Sequence, residues 1–140
     1  MSVIISALNY ISQRFGIPQG VFEGFELVEK GDIWIMSKEA ARFHIKRYSR
    51  KGIRLIRVFR DGYKLTTAGI QIFGKYATRN VLEINEKQLE DFLKGKNLLV
   101  ANNAVQNGQV IVKSGTDYLG SALYNNGNVK NQLPKGRRWF

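Results

Sequence analysis

The stretch Gly108–Phe140, GQVIVKSGTDYLGSALYNNGNVKNQLPKGRRWF, contains the strongest fold signal of the chain. Strands prefer the residue types found at Val110, at Val112 and in the run 118–123. Gly115 follows the first of these segments, and Gly127 follows the second. Glycine, and asparagine beside it, tolerate the positive φ that tight hairpin turns need. The stretch therefore predicts a strand, a turn, a second strand, a second turn and then a basic end.

That basic end combines cations with aromatic rings. No acidic residue follows Asp117, and the last cations and rings are Lys130, Lys135, Arg137, Arg138, Trp139 and Phe140. Unpaired cations beside flat rings suit a polyanion with flat bases, so we expect this end to contact RNA. The alternative is a frayed tail, which is the usual fate of a chain end.

The order of glycine, lysine and proline in this stretch resembles the PUA module that closes the Fmu/Sun-type RNA cytosine-5 methyltransferases. The pattern is GxVxV, a turn, LGxA, a hairpin tip and KNxxPKGRR. The matching residues are Gly108, Val110, Val112, Leu119, Gly120, Lys130, Asn131, Pro134, Lys135, Gly136, Arg137 and Arg138. The resemblance implies a small RNA-binding β-barrel, with Lys130, Asn131 and Lys135 in its last turn and strand.

The resemblance extends upstream. RFGIP at 14–18, TTAGIQIFGKYATRNVLEI at 66–84 and FLKG at 92–95 look like the domain before the barrel in the Fmu/Sun enzymes and the Nip-type ribosome-biogenesis factors. This implies an α+β fold: a small α/β N-terminal (pre-PUA) domain at 1–79, followed by a PUA-like β-barrel at 80–140.

One departure limits what the resemblance implies. The Fmu/Sun enzymes bind S-adenosylmethionine in a Rossmann-like domain and use a catalytic cysteine. This sequence has no cysteine and no glycine-rich loop after a strand that could cradle the cofactor. We therefore expect the RNA-binding part of the family's properties to apply, and the methyltransferase activity not to.

The composition limits the classes of protein to which this chain can belong. The chain has 140 residues, 44% of them hydrophobic, which suffices for one ordinary domain or two small ones. It has no apolar run of transmembrane length, and its start lacks the features of a signal peptide. Without cysteine there is no disulfide and no thiolate metal site. We expect a globular cytoplasmic protein with no membrane partner.

Charge is distributed unevenly along the chain, whose net charge is +11 at pH 7. Residues 42–79 contain eleven lysines and arginines and one acidic residue, whereas residues 1–41 contain three basic and five acidic ones. Such a concentration of positive charge favours an anionic partner. Nucleic acid fits best; the alternatives are a merely solvated basic face, or an acidic membrane or protein.

Apolar periodicity, caps and turn residues predict the order of elements. The predicted elements are a helix at 4–15, strands at 21–28 and 33–36, a helix at 38–51, strands at 53–60 and 63–65, a helix at 67–76, a strand at 81–84, a helix at 86–93 and a strand at 97–101. Ser37, Thr66 or Thr67, and Asn85 are the predicted N-caps of the last three helices.

The helix predicted at 38–51 has the densest basic arc. At 100° per residue, Arg42, Lys46, Arg47 and Arg50 share one arc with Phe43. An exposed ring among arginines can stack a base, so we expect RNA contact. The alternatives are a solvated basic face and Phe43 packed against the barrel.

Strict alternation predicts two faces for the strand at 53–60. The first would present Arg54, Ile56, Val58 and Arg60, and the second Ile53, Leu55, Arg57 and Phe59. An arginine-bearing face would continue the basic patch. Equally, apolar partners could bury the arginine stems while the guanidinium groups reach solvent.

No residue set suggests catalysis or metal binding. The single histidine, His44, lies on the apolar arc of the predicted helix, and no pair of carboxylates has a spacing suited to acid–base work. We expect no catalytic residue, no metal and no cofactor.

The sequence thus predicts a protein that binds structured ribosomal or transfer RNA, as an accessory or adaptor in RNA modification or ribosome biogenesis, without a catalytic domain. A methyltransferase or a ribosome-assembly protein is the candidate partner. The alternatives are a protein-interaction module of a ribosome-assembly complex and a subunit of an RNA-modifying enzyme. The candidate RNA-binding residues are Arg42, Phe43, Lys46, Arg47, Arg50, Arg54, Lys113, Lys130, Asn131, Lys135, Arg137 and Arg138.

Overall fold

The structure is a computed structural model that describes residues 2–38, 52–101 and 104–138. Its first element is α1 (Val3–Phe15), where the Ser2 hydroxyl accepts the backbone N–H of Ile5 at 3.1 Å. The helix ends at Gly16, whose φ of 70° is left-handed. Serine satisfies a free N–H at the start of a helix and glycine tolerates the left-handed end, so the predicted helix and its end are confirmed.

Four antiparallel strands follow, paired in chain order. They are β1 (Phe25–Lys30), β2 (Asp32–Ser37), β3 (Ile53–Phe59) and β4 (Gly62–Leu65). β1 begins later than predicted because Gln19–Phe22 forms a 3-10 turn. Ser37, the predicted helix cap, is the last residue of β2, and residues 39–51 of the predicted helix lie outside the described residues.

A β-bulge in β3 overturns the prediction of two simply alternating faces. The register of β3 against β2 shifts by one residue at Leu55. Leu55 and Ile56 are consequently both fully buried, although they are neighbours in sequence. Because a bulge re-aims the side chains around it, Arg54 and Arg57, predicted on opposite faces, line the same cleft.

The second sheet has five strands in the order β5-β7-β8-β9-β6 and curls into a half-barrel. Its strands are β5 (Val81–Glu83), β6 (Leu98–Leu99), β7 (Gly108–Ser114), β8 (Asp117–Asn125) and β9 (Asn128–Asn131). β5 is parallel to β7, and the other pairs are antiparallel. Helices and sheets together confirm the α+β class; the division at residues 79 and 80 stays a prediction.

Two further helices complete the described fold. α2 (Thr67–Phe73) is capped by Thr66, whose Oγ1 accepts the N–H of Gly69 at 3.0 Å, and it packs against both β3 and β8. α3 (Glu86–Leu93) begins with a capping box, in which Asn85 and Gln88 each accept the other's backbone N–H. Neither these helices nor any other described one is long and apolar enough to cross a membrane.

Strand β7 separates two clusters of buried apolar side chains. Ile111 belongs to the cluster formed by α1, the first sheet and α2. Its neighbours Val110 and Val112 belong to the cluster inside the half-barrel. Successive side chains of a strand point to opposite faces, so β7 is a wall shared by the two cores.

The Gln109 side chain joins β7 to β4, the edge strand of the first sheet. Its Oε1 accepts the Leu65 N–H at 3.1 Å, and its Nε2 donates to the Leu65 carbonyl at 2.8 Å. The Tyr10 hydroxyl donates to the same Oε1 at 3.0 Å, and burial raises the pKa of Tyr10. The amide thereby satisfies edge-strand groups that would otherwise lack partners.

A second set of hydrogen bonds joins the end of α1 to the second sheet. Arg14 donates to the Gln109 carbonyl and to the Gln106 carbonyl, each at 2.8 Å. Asn80 donates to the Arg14 carbonyl at 2.7 Å and accepts the Gln106 N–H at 2.8 Å. The two halves of the chain are therefore packed and hydrogen-bonded together, as expected from the short connection between them.

Gly16→Ala is expected to lower the free energy of unfolding by about 2 kcal/mol or more. A left-handed backbone costs an L-residue about 1–2 kcal/mol, and an added Cβ would overlap the Thr78 hydroxyl. Gly20→Ala is the control, because nothing lies within 4 Å of a Cβ at that position. Urea unfolding followed by circular dichroism measures both variants. A loss at Gly16 below about 0.5 kcal/mol, the usual range of surface changes, would contradict this account.

Candidate nucleic-acid interface

A basic cleft of about 450 Å³ lies between the exposed face of the first sheet and the segment after β9. β2, β3 and β4 form one part of its lining, the start of α2 contributes Thr66, Thr67 and Ala68, and the segment after β9 contributes Gln132, Pro134 and Arg137. Its cations are Arg54, Arg57, Lys64 and Arg137, and no lining residue that the structure describes is acidic. We call this site the basic cleft.

Arg57 and Lys64 place two positive charges next to each other in the basic cleft. They face each other across the β3–β4 hairpin, where like charges directly opposite are unfavourable. Burial, and secondarily the nearby Arg57 charge, lowers the pKa of Lys64. A bound anion would relieve both effects, because it would sit beside the two cations and replace lost hydration.

Trp34 and Arg54 line the basic cleft together. The Arg54 guanidinium carbon lies 5.8 Å from the centre of the Trp34 ring. Arg54 also forms a 3.2 Å ion pair with Asp32, whose other oxygen accepts the Val58 N–H at 2.8 Å. Asp32 therefore fixes Arg54 against the ring and offsets part of its charge.

The segment after β9 brings Arg137 to the same cleft as Arg54. Arg137 lies in a 3-10 turn, Lys135–Arg137, and donates to Gln71 Oε1 of α2 at 3.0 Å. Gln71 in turn donates to the Leu119 carbonyl at 3.1 Å. Lys135 is exposed at the start of this turn. Two predicted site residues that are more than eighty positions apart in sequence thus share one site.

The side chains of Asn131 and Arg138 both form hydrogen bonds within the fold. Asn131 is buried, and its Nδ2 donates to the carbonyls of Phe92 and Lys96 at 2.8 and 3.0 Å while its Oδ1 accepts the Leu133 N–H. Arg138 packs over Gly95 and donates to the Leu133 carbonyl at 2.9 Å. Both side chains hold the chain after β9, and their contact with RNA stays a prediction.

Lys113 and Lys130 are not among the residues that line the basic cleft. The Lys113 ammonium lies 5.3 Å from the centre of the Tyr118 ring. Lys130 is exposed on the half-barrel, beside a shallower cleft of about 240 Å³ that includes Leu98 and Leu99. The remaining predicted site residues, Arg42, Phe43, Lys46, Arg47 and Arg50, lie outside the described residues.

Sequence reasoning did not include Trp34, Arg57 and Lys64 among the site residues. The hairpin turn around Asp61 was predicted, and counting back from the observed Phe59–Gly62 pair places Arg57 opposite Lys64. The predicted Asp61-Gly62 turn would instead pair Arg60 with Tyr63, so only the structure shows that Arg57 and Lys64 are opposite each other. Within residues 2–38, 52–101 and 104–138, no group of three or more His, Asp or Glu side chains could hold a metal ion.

Comparison with known proteins gives a family for the second half of the chain. Residues 79–139 match the family model described as the methyltransferase RsmF PUA domain. The predicted resemblance to a PUA module of the Fmu/Sun-type methyltransferases is thereby confirmed.

Curated relatives are similar over a longer stretch. The chain is 29% identical over 130 residues to ribosomal RNA small subunit methyltransferase F of Aeromonas salmonicida, covering 91% of this chain and 26% of the relative. The Aeromonas hydrophila protein of the same name is 28% identical over 130 residues, with the same two coverages. The Shewanella oneidensis one is 26% identical over 110 residues, covering 78% and 23%. The chain therefore spans about a quarter of the length of these relatives.

Proposed function

Because residues 79–139 match the RsmF-type PUA domain family, we propose that this protein binds structured ribosomal or transfer RNA through its PUA-like half and the basic cleft beside it. The relatives are named as ribosomal RNA methyltransferases, which favours ribosomal RNA. The observation that carries the proposal is the position of the basic cleft: the segment after β9, inside the matched region, forms part of its lining.

The role that fits best is that of an accessory or adaptor in RNA modification or ribosome biogenesis. The matched family model describes the PUA domain of the methyltransferase, and the sequence contains no cysteine. A methyltransferase or a ribosome-assembly protein would be its partner in the cytoplasm. The proposed organisation remains a pre-PUA domain at 1–79 and a PUA-like barrel at 80–140. Methyl transfer from S-adenosylmethionine to RNA by this chain alone would contradict the accessory role.

A protein-interaction module is the second candidate, and one observation favours it. Leu99, on the short edge strand β6, is 79% exposed. An exposed leucine beside an open strand edge is typical of a surface that another chain can cover. In that case the basic residues would contribute only solubility or weak RNA affinity.

RNA affinity is expected to depend steeply on salt. With roughly six phosphate contacts, the logarithm of the association constant should fall against the logarithm of salt concentration with a slope of about −4 to −5. Fluorescence anisotropy of a labelled ribosomal RNA hairpin between low and physiological salt measures the slope. A flat slope, or no binding below micromolar concentrations, would favour the protein-interaction module instead.

A further inference from the structure

We propose that the basic cleft binds an unpaired nucleotide of the RNA, with its base against Trp34 and its phosphate between Arg57, Lys64 and Arg137. This inference rests on the proposed RNA-binding function and specifies its ligand. It assigns the contact to a junction of the two sheets, where the first sheet supplies the ring and most of the cations.

The phosphate position follows from the charges. Arg57 and Lys64 are cross-strand neighbours, Arg137 lines the same cleft, and no described lining side chain is a carboxylate. The ion pair of Arg54 with Asp32 offsets part of its charge, whereas none of the other three cations forms an ion pair with a described residue. A phosphate accepts hydrogen bonds from arginine and lysine and supplies the missing negative charge.

The base position follows from the apolar lining. Trp34, Ile53, Ala68 and Pro134 line the same cleft as the cations. A cleft of about 450 Å³ lies within the roughly 300–1,000 Å³ of typical ligand pockets. An indole ring stacks on any base, which is how sequence-tolerant single-strand sites work.

Single-stranded rather than duplex RNA fits this arrangement. In a duplex, neighbouring base pairs cover both faces of every internal base, so a ring inside a cleft cannot stack on one. An unpaired nucleotide in a loop or bulge can turn its base out toward an aromatic ring while its phosphate reaches the cations. A free nucleotide has the same chemistry, and the experiment below separates the two sources.

Trp34 fluorescence tests the inference directly. The chain has two tryptophans, so Trp139→Phe leaves Trp34 as the only reporter. Titration with a single-stranded RNA tetranucleotide is expected to quench the emission, whereas a blunt duplex of equal phosphate content should not. Adenosine monophosphate at the same concentration should quench it much less, because it lacks the further phosphates with which the tetranucleotide contacts other cations. Equal quenching by the duplex would overturn the unpaired nucleotide, and equal quenching by the monophosphate would make the cleft a free-nucleotide pocket instead.

Variants that remove positive charge from the cleft provide a second test of the inference. Arg57→Gln with Lys64→Gln should weaken tetranucleotide binding about tenfold or more and reduce the salt slope by about 1.4, at ~0.7 per lost contact to a single strand. Lys87→Gln is the control, because Lys87 is an exposed residue of α3 that does not line the cleft. It should change neither the affinity for the tetranucleotide nor the salt slope. Circular dichroism checks that each variant is folded. Removing the charge from Lys64 should not harm folding, because burial already disfavours its charged form.

The same variants separate this inference from the function on which it rests. If the wild-type protein binds the ribosomal RNA hairpin with a steep salt slope but the double variant binds the tetranucleotide normally, the cleft assignment is wrong and RNA binding stands. If the wild type binds neither RNA, the proposed function itself fails.

Discussion

Gln109→Ala is expected to lower the free energy of unfolding by about 3 kcal/mol or more. The variant removes the partners of the Leu65 N–H, the Leu65 carbonyl and the Tyr10 hydroxyl at once. A buried polar group without a partner costs about 1–3 kcal/mol, and Gln109 is only 8% exposed. Such a loss is a large part of the roughly 5–15 kcal/mol that stabilises a typical protein.

Urea unfolding at fixed pH, followed by circular dichroism, measures this effect. Gln13→Ala is the matched control, because Gln13 is exposed on α1 and its replacement should cost less than about 0.5 kcal/mol. A Gln109 variant as stable as the control would mean that water replaces the amide, and that the bridge between β4 and β7 contributes little.

Charge reversal at Arg42, Lys46 and Arg50 together is expected to weaken RNA binding by about a hundredfold or more. The three residues share an arc of the helix predicted from the sequence, and each is expected to contact a phosphate. Losing three contacts should reduce the salt slope by about 2–3, and the new carboxylates repel the RNA backbone. Anisotropy titration of the ribosomal RNA hairpin at several salt concentrations measures both quantities.

A matched triple variant distinguishes contact from net charge. Lys30→Glu, Lys87→Glu and Lys96→Glu changes the net charge by the same amount at three exposed positions, of which Lys96 also loses a surface ion pair with Asp91. It should weaken binding far less than the first triple. Equal weakening would show that only the overall field matters. Unchanged affinity in the first triple would restrict the interface to the basic cleft and the end of the barrel.

Local sequence signals predicted most of the helices and strands, but not how the strands of the first sheet fit together. Asn85 caps α3, Thr66 caps α2 and Gly16 ends α1 as expected, because each of these features depends on residues within a few positions. The bulge at Leu55 was not predictable, because it depends on the fit of β3 between β2 and the helices packed on it. The sequence alternation alone therefore gave the wrong faces for Arg54 and Arg57.

The candidate site was predictable only in part for the same reason. The C-terminal cations were singled out, but composition cannot distinguish Arg137, which lines the basic cleft, from Arg138, which packs over Gly95. Asn131 matched a family pattern, yet its amide is used inside the fold. Trp34 gave no signal of its own, because a tryptophan in a strand is as readily a core residue as a surface one.

The partners of two cleft arginines have a consequence for the thermodynamics of binding. Asp32 holds Arg54, and Gln71 holds Arg137. A free arginine side chain loses up to about 2 kcal/mol of rotamer entropy when it is ordered. Folding has already met part of that cost at both positions, so an incoming RNA would encounter a preorganised surface, and more of its interaction energy would appear as affinity.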